Sequence, residues 1–293
     1  MSLIGTLTSG VSALRTFGKG LEVIGANIAN VNTTGYKSST ASFAESFSNT
    51  LRGSAPSNGT VSSQSAVQVG TGVELAGIAT NFNQGALNST GNTTDLGISG
   101  RGFFIVKDAT GGSQFATRDG QFRVDDNGYL VTVATSFRVQ GRTGGNYTTS
   151  ITAASPLGDI RIGQGLPAGV ELQSISFDTG GNLIEFYSDG TSQTTNRVQL
   201  QNFNDTSALT REGGNLYAGL TNAGPIGGGI LAGNNDPGAS GLGKIQSGTL
   251  ESSNVDLTQQ FSDLITAQRS FQAGSRLITV SDTVLQDIVN LKQ

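Results

Sequence analysis

The chain is 293 residues long, room for one large or two to three small domains, with 17 basic and 21 acidic residues and a net charge of −4. That balance gives nucleic acid or an anionic membrane nothing to hold, and no apolar run reaches the roughly 18 residues of a membrane span. Histidine and cysteine are both absent, which excludes imidazole bases, serine or cysteine triads, thiolate zinc sites, Fe–S clusters and disulfides. Only 13% of residues are charged and 43 are glycine, a composition suited to polar and apolar self-contact.

Met1 to Thr8 has no basic segment followed by an apolar one, so neither ordinary signal-peptide export nor membrane insertion is expected. Ile4, Leu7, Val11, Leu14, Leu21, Ile24, Ile28 and Val31 recur at spacings of three, four or seven, predicting an amphipathic helix from about Ser2 to Asn30. Asn30, Asn32, Thr33, Thr34 and Gly35 then signal its end. Asn27, Asn30 and Asn32 fit two roles equally, hydrogen bonding between subunits or simple helix termination. Residues 38–69 are rich in Ser, Thr, Ala and Gly, with turns at Pro56 and Asn58-Gly59, and read as a connector too polar for its own core.

From Gly72 the period changes to two. Val73, Leu75 and Ile78 open a strand, and Phe103 to Val106 form a short apolar one. Asp119-Gly120 and Asn127-Gly128 are hairpin signals among Phe115, Phe122, Val124, Leu130, Val131 and Val133. Further strands are expected over 160–162, 170–177, 183–187 and 198–203, with turns at Gly180-Gly181-Asn182 and Asp189-Gly190. The glycine-dense stretch 213–248 reads as loop. Ser253, Asn254 or Asp256 can cap a last helix, with Gln259 as a capping-box partner of Asp256. Its stripe runs through Leu257, Phe261, Leu264, Phe271, Ile278, Leu285 and Val289, interrupted at Gln268 and Ser275 as the first helix is at Gly18.

The expected fold is therefore α+β. Residues 1–36 and 250–293 form a paired, coiled-coil-like helical domain, 37–72 a connector and 73–249 a mostly β domain. An isolated amphipathic helix is marginal in water, and about seven large apolar side chains per helix at ~1.5–3 kcal/mol each drive association. The two stripes are accordingly the expected self-assembly surfaces.

Gly25 to Lys37 (GANIANVNTTGYK) resembles the N-terminal signature of the bacterial flagellar rod and hook family. Leu250 to Leu257 with Ala267 to Gln272 is similar to its C-terminal signature, and Gly85 to Gly91 with Asp95 to Phe104 to its β-domain signature. The resemblance implies terminal helices that build an inner tube beneath a β shell, and export through the flagellar type III apparatus. Ala273 to Asp282 and Leu285 to Gln293 look more like a hook protein, whereas the shortness of the chain and the connector Phe43 to Val73, with Gln68 to Gly72, resemble the distal rod. Hook subunit, outside the cell, is thus the expected function and distal-rod subunit the alternative. Implied partners are further copies in a helical tube and the rod, hook-cap and hook–filament junction proteins.

Other chemistry finds little support. Asp125-Asp126-Asn127-Gly128 lacks the acid that a calcium loop would need at Arg123, and so reads as a turn. Gly97, Gly100 and Gly102 do not follow the dinucleotide-binding order and precede a strand. Carboxylate pairs such as Asp119 with Asp125 have no spacing that singles out hydrolysis. No catalytic residue, metal or cofactor is expected. A secreted β-rich binding module is the rival from another class, and it would tolerate loss of residues 1–30 and 255–293.

Overall fold

The computed structural model describes residues 3–54, 56, 63–146, 148–152, 155–232 and 235–291. The chain divides into two units, one of Met1–Ala29, Ser38–Asn81 and Val255–Gln293, the other of Asn30–Lys37 and Phe82–Asn254.

The first unit holds both long helices, α1 (Leu3–Ala29) and, at the far end of the sequence, α2 (Leu257–Asn290). Asp256 caps α2, its carboxylate accepting from the amides of Thr258 at 2.8 Å and Gln259 at 3.3 Å. No capping box forms through the Gln259 side chain, which donates forward to Asp263 at 2.8 Å. The helices run antiparallel. Thr6 and Ser281 share a hydrogen bond of 3.1 Å at one end, and Asn27 donates to Gln260 at 2.9 Å at the other. Small and amide residues line the contact, with Gln260, Gly274 and Ser281 the buried positions of α2. A Cβ added at Gly10 would lie 2.9 Å from Ile278 Cγ1 and 3.4 Å from Gly274 O, so glycine at position 10 makes room for Ile278 of α2.

Four strands occupy the stretch read as a polar connector and its margin: β1 (Ser39–Glu45), β2 (Ser48–Arg52), β3 (Val67–Gly70) and β4 (Val73–Thr80). β1 pairs antiparallel with β4, from Ser39↔Thr80 to Glu45↔Val73, with a bulge between Ser42 and Phe43. β2 and β3 form a second antiparallel pair, exposed along both strands. Pro56 lies between them, while the expected Asn58-Gly59 turn falls outside the described residues. Hydroxyls fix this layer to α1: Ser9 donates to Thr71 O at 3.0 Å, Ser12 accepts from Val73 N at 3.3 Å, and Thr16 donates to Val73 O at 3.1 Å. Phe17 and Phe43 meet edge to face at 5.5 Å. The polar composition hid these strands because their partners are backbone and hydroxyl groups, which a hydrophobic period does not register.

The second unit is β-built. In chain order its strands are β5 (Leu87–Ser89), β6 (Leu96–Ser99), β7 (Phe103–Lys107), β8 (Gln114–Thr117), β9 (Phe122–Val124), β10 (Leu130–Thr132), β11 (Arg138–Arg142) and β12 (Leu157–Asp159). β13 (Leu172–Phe177), β14 (Asn182–Tyr187), β15 (Ser192–Val198), β16 (Leu200–Gln201), β17 (Thr210–Gly213), β18 (Leu216–Ala218), β19 (Lys244–Ser247) and β20 (Thr249–Glu251) follow. Among the described residues twelve of them join one sheet, eight along the path β13-β14-β15-β11-β7-β8-β18-β17 and β9, β10, β12 and β16 off it. β7 lies at its centre and is buried on both faces. Phe104 and Val106 enter one apolar cluster with Leu130, Val139 and Val198; Phe103 and Ile105 enter another with Phe203, Tyr217 and Leu231. That double burial is why its sequence is continuously apolar.

The hairpin expected at Asn127-Gly128 joins β9 to β10. The Asp125 carboxylate there accepts from the amides of Asn127 at 3.0 Å and Tyr129 at 2.7 Å, committing it to the turn. Asp119-Gly120 is not a hairpin, because Gly120 O accepts from Leu96 N at 3.0 Å and β8 pairs with β7 and β18 instead of β9. The stretch expected as loop, 213–248, contributes β18 and β19 and buries Leu220, Leu231 and Leu242. Strands of three or four residues between glycines are too short to show a period.

Candidate functional site

Two features of the fold are candidates for function, a buried ionic junction in the β unit and an uncovered apolar face in the helical unit. The junction is assembled from segments far apart in sequence. Lys37 is fully buried, and its ammonium donates to Glu251 Oε1 at 2.6 Å and to Asn83 O at 2.9 Å. The same Oε1 accepts from Gly85 N at 2.8 Å, while Oε2 accepts from Arg118 Nη1 at 3.2 Å. Arg118 donates onward to Gly100 O at 2.9 Å and lies over the Phe103 ring at 5.3 Å. The backbone follows suit, with Gly35 N donating to Glu251 O at 2.7 Å and the Arg211 guanidinium donating to Lys37 O while stacking over Tyr36.

Burial pushes the Lys37 ammonium below the usual lysine range; Glu251 opposes that shift and the nearby Arg118 charge adds to it. Arg118 is likewise lowered by burial against the pull of Glu251. One carboxylate thus serves two cations, all three side chains at most 4% exposed. A carboxylate so enclosed reaches no substrate. What the arrangement does is hold three chain segments together, at a desolvation cost met only with every partner in place.

Beside it, Asp119 accepts from Thr34 Oγ1 at 3.1 Å and from Gln121 N at 3.1 Å. Burial raises its pKa above the ordinary aspartate value, with a contribution from Asp95, against those two hydrogen bonds. Between the unfolded value near 3.8 and the raised folded one, the folded state binds more protons. Stability is therefore fully present below that window and falls as pH rises through it. Asp119→Asn keeps both acceptor bonds and removes the charge. Its melting temperature relative to the unsubstituted chain should rise as pH is taken from 4 to 7; a gap independent of pH would count against this account.

In the helical unit the expected assembly residues are placed as follows. Leu7, Leu14, Leu21, Ile24 and Ile28 of α1 and Leu264 and Ile278 of α2 are half-buried, and the Ile4 side chain lies outside the described residues. Val11, Leu257, Phe261, Phe271, Leu285 and Val289 are exposed, Phe261 by 51% and Val289 by 61%. Asn27 is 1% exposed; besides Gln260 it donates to Ser39 O at 2.7 Å and accepts from Ser39 N at 2.9 Å. Its side-chain amide is thus engaged within the chain. Asn30 accepts from Thr33 through both its carbonyl and its side chain, a turn that ends the helix. Arg269 and Arg276 make no ion pair among the described residues. Composition and spacing alone did not single out Arg118 or Glu251; in a chain this poor in charge, each charge inside an apolar or glycine-rich segment was the available signal.

Three family descriptions match: "Flagella basal body rod protein" over residues 7–37, "Flagellar hook protein FlgE/F/G D1 domain" over 97–184 and "Flagellar basal body rod FlgEFG protein C-terminal" over 246–291. The flagellar basal-body rod protein FlgG of Bacillus subtilis is 35% identical over 291 residues, 99% of this chain and 100% of the relative. The chain belongs to the flagellar hook and basal-body rod family. The flagellar hook protein FlgE of Borreliella burgdorferi is 24% identical across 449 aligned positions, 98% of this chain and 99% of the relative. The hook protein FlgE of Helicobacter mustelae is 44% identical over 131 residues, 44% of this chain and 29% of the relative. The relatives are structural proteins of the rod and hook, and this chain is a structural protein of that family, not an enzyme. Lys37, Arg118 and Glu251 fall one in each of the three matched segments, so the ionic junction joins the three parts by which the family is recognised.

Proposed function

We propose that this chain is an axial subunit of the flagellum, polymerising through its terminal helices, and that it is a subunit of the distal rod. The observation that carries polymerisation is the apolar surface of α2 that its own chain leaves bare: Phe261, Ile265, Leu277, Val280, Ile288 and Val289 are each at least half exposed. Covering so much apolar surface takes neighbours, and a contact between unlike surfaces of identical copies propagates as a helix. The β2–β3 pair presents Phe47 beside it in sequence and Leu51 within it, 84% and 66% exposed, as a second apolar element for neighbouring copies. Further axial proteins and the flagellar export apparatus are the partners this role requires.

Length favours rod over hook. The rod relative aligns over 291 positions, 99% of this chain and 100% of its own length, whereas the alignment with the hook relative has 449 positions for the 293 residues here. The hook remains the second reading, favoured by the 44% identity to a hook protein over 131 residues. Electron microscopy of polymers of the purified protein, with labelling of the protein in isolated basal bodies, separates the two. Stiff straight tubes and label confined between the rings are expected. Curved tubes and label on the external curved segment would make it a hook subunit, and absence from the basal body would end the assembly reading.

A further inference from the structure

A groove of about 390 Å³ opens in the helical unit between α1, β1 and α2, lined on its apolar side by Phe17, Val23, Ile24 and Phe43. Its α2 border, Gln260, Asp263, Thr266, Ala267 and Ser270, carries no large apolar side chain. An apolar cavity of about 150 Å³ takes one benzene, so this groove has room for two or more large apolar side chains. The other end of the same helix has the opposite surplus. Thr6 stands opposite Ser281, so the residues of α2 beyond about 284 outrun the start of α1 at Leu3. There Leu285, Ile288, Val289 and Leu291 are 38, 50, 61 and 87% exposed.

We propose that the C-terminal end of α2 of one copy seats in the α1–β1–α2 groove of the next. This rests on the polymerising role given above and assigns it a contact. The helix end fits within the groove's length: residues 285–290 span about 9 Å of helix, and the groove is bordered along α2 from Gln260 to Ser270, about 16 Å. The area argues for a repeated contact over a closed pair. Four such side chains, at roughly 60–120 Å² each when fully buried, offer roughly 200–500 Å² per partner, below the ~800 Å² of a stable complex. Copies therefore stay apart in dilute solution and join only where several contacts close together. Groove and helix end are different surfaces, so the contact is heterologous and propagates.

The absence of cysteine permits a direct test. The full chain carrying Ala267→Cys and Val289→Cys, assembled in flagella and oxidised in isolated basal bodies, should give a ladder of disulfide-linked oligomers. Either single variant should give none, and the two mixed should give dimers only. Ala267→Phe fills the groove from within and should keep the monomer's circular dichroism while raising the concentration needed for polymerisation at least tenfold. Normal assembly of the cysteine variant without a ladder, or of Ala267→Phe at the usual concentration, would overturn the contact and leave the axial role standing. Absence of the protein from basal bodies would overturn both.

Discussion

Glu251→Gln is expected to be among the most damaging single substitutions in this chain, costing on the order of 3–5 kcal/mol, the usual consequence of removing one partner from a buried ion pair. A domain of ordinary stability has about 5–15 kcal/mol in total, so the variant's β unit should be partly or wholly unfolded near 37 °C. Glutamine keeps one acceptor oxygen, which can serve both Gly85 N and Lys37, but its NH₂ group must then face Arg118, the cation that the second carboxylate oxygen now serves. Lys37, already lowered by burial, is the group that can shed its proton; Arg118 cannot, and keeps its charge with Gly100 O as its remaining acceptor in the junction. Lys37→Met should be milder, since Glu251 and Arg118 still pair one to one. Urea denaturation of the two single variants and the double variant should show strong non-additivity, with Lys37→Met/Glu251→Gln less destabilised than the two losses summed. Additive losses would mean that the two residues do not share one site.

The junction also shows what was legible in the sequence. The helices, a cap among Ser253, Asn254 and Asp256, and the strands β4, β7, β13 and β14 follow from period and turn chemistry, because each is decided by residues within one turn or one hairpin, whereas β11 and β15, which are largely polar, were not expected. The Lys37–Glu251 contact spans 214 residues, and no local pattern encodes a distance of that kind. Its members stood inside segments recognised by resemblance, but resemblance does not say which residue of a segment meets which. The helix seam was half legible for a related reason. The apolar stripe marks what the chain cannot leave in water, and the structure covers it only in part, choosing Gln260, Gly274 and Ser281 for closest contact. Small residues on a helix carry no hydrophobic signal, so the face used within the chain was invisible beside the face it leaves for others. The strands of 39–70 were missed because Ser and Thr are read as loop formers, whereas the layer they belong to is held to α1 by hydroxyls of the helix itself, from Ser9, Ser12 and Thr16.

Gly35→Ala is the second substitution expected to be severe, at about 2–5 kcal/mol, and it separates two causes. Gly35 has φ +66°, a region where a Cβ costs ~1–2 kcal/mol. An added Cβ would also lie 2.7 Å from Asp119 N, 2.8 Å from Arg118 C and 2.9 Å from Asp119 Cα. All three are backbone atoms that no rotamer change can move, and overpacking of this kind adds ~1–3 kcal/mol. The crowding has a purpose in the fold, since Gly35 N donates to Glu251 O and a displaced residue 35 would draw Lys37 off the carboxylate it serves. Gly35→Asn tests which cause prevails. Asparagine tolerates the left-handed region better than alanine but brings the same Cβ, so it should be nearly as destabilised if contact with Arg118 and Asp119 dominates. Gly213→Ala supplies the control, with φ +87° and nothing within 4 Å of the new Cβ, and should lose only the ~1–2 kcal/mol of backbone strain. Melting temperatures in the order Gly213→Ala above Gly35→Asn, with Gly35→Ala close to the latter, would place the cost in the close approach of residue 35 to the strand end that carries Arg118. Equal losses at Gly35 and Gly213 would instead reduce it to local strain.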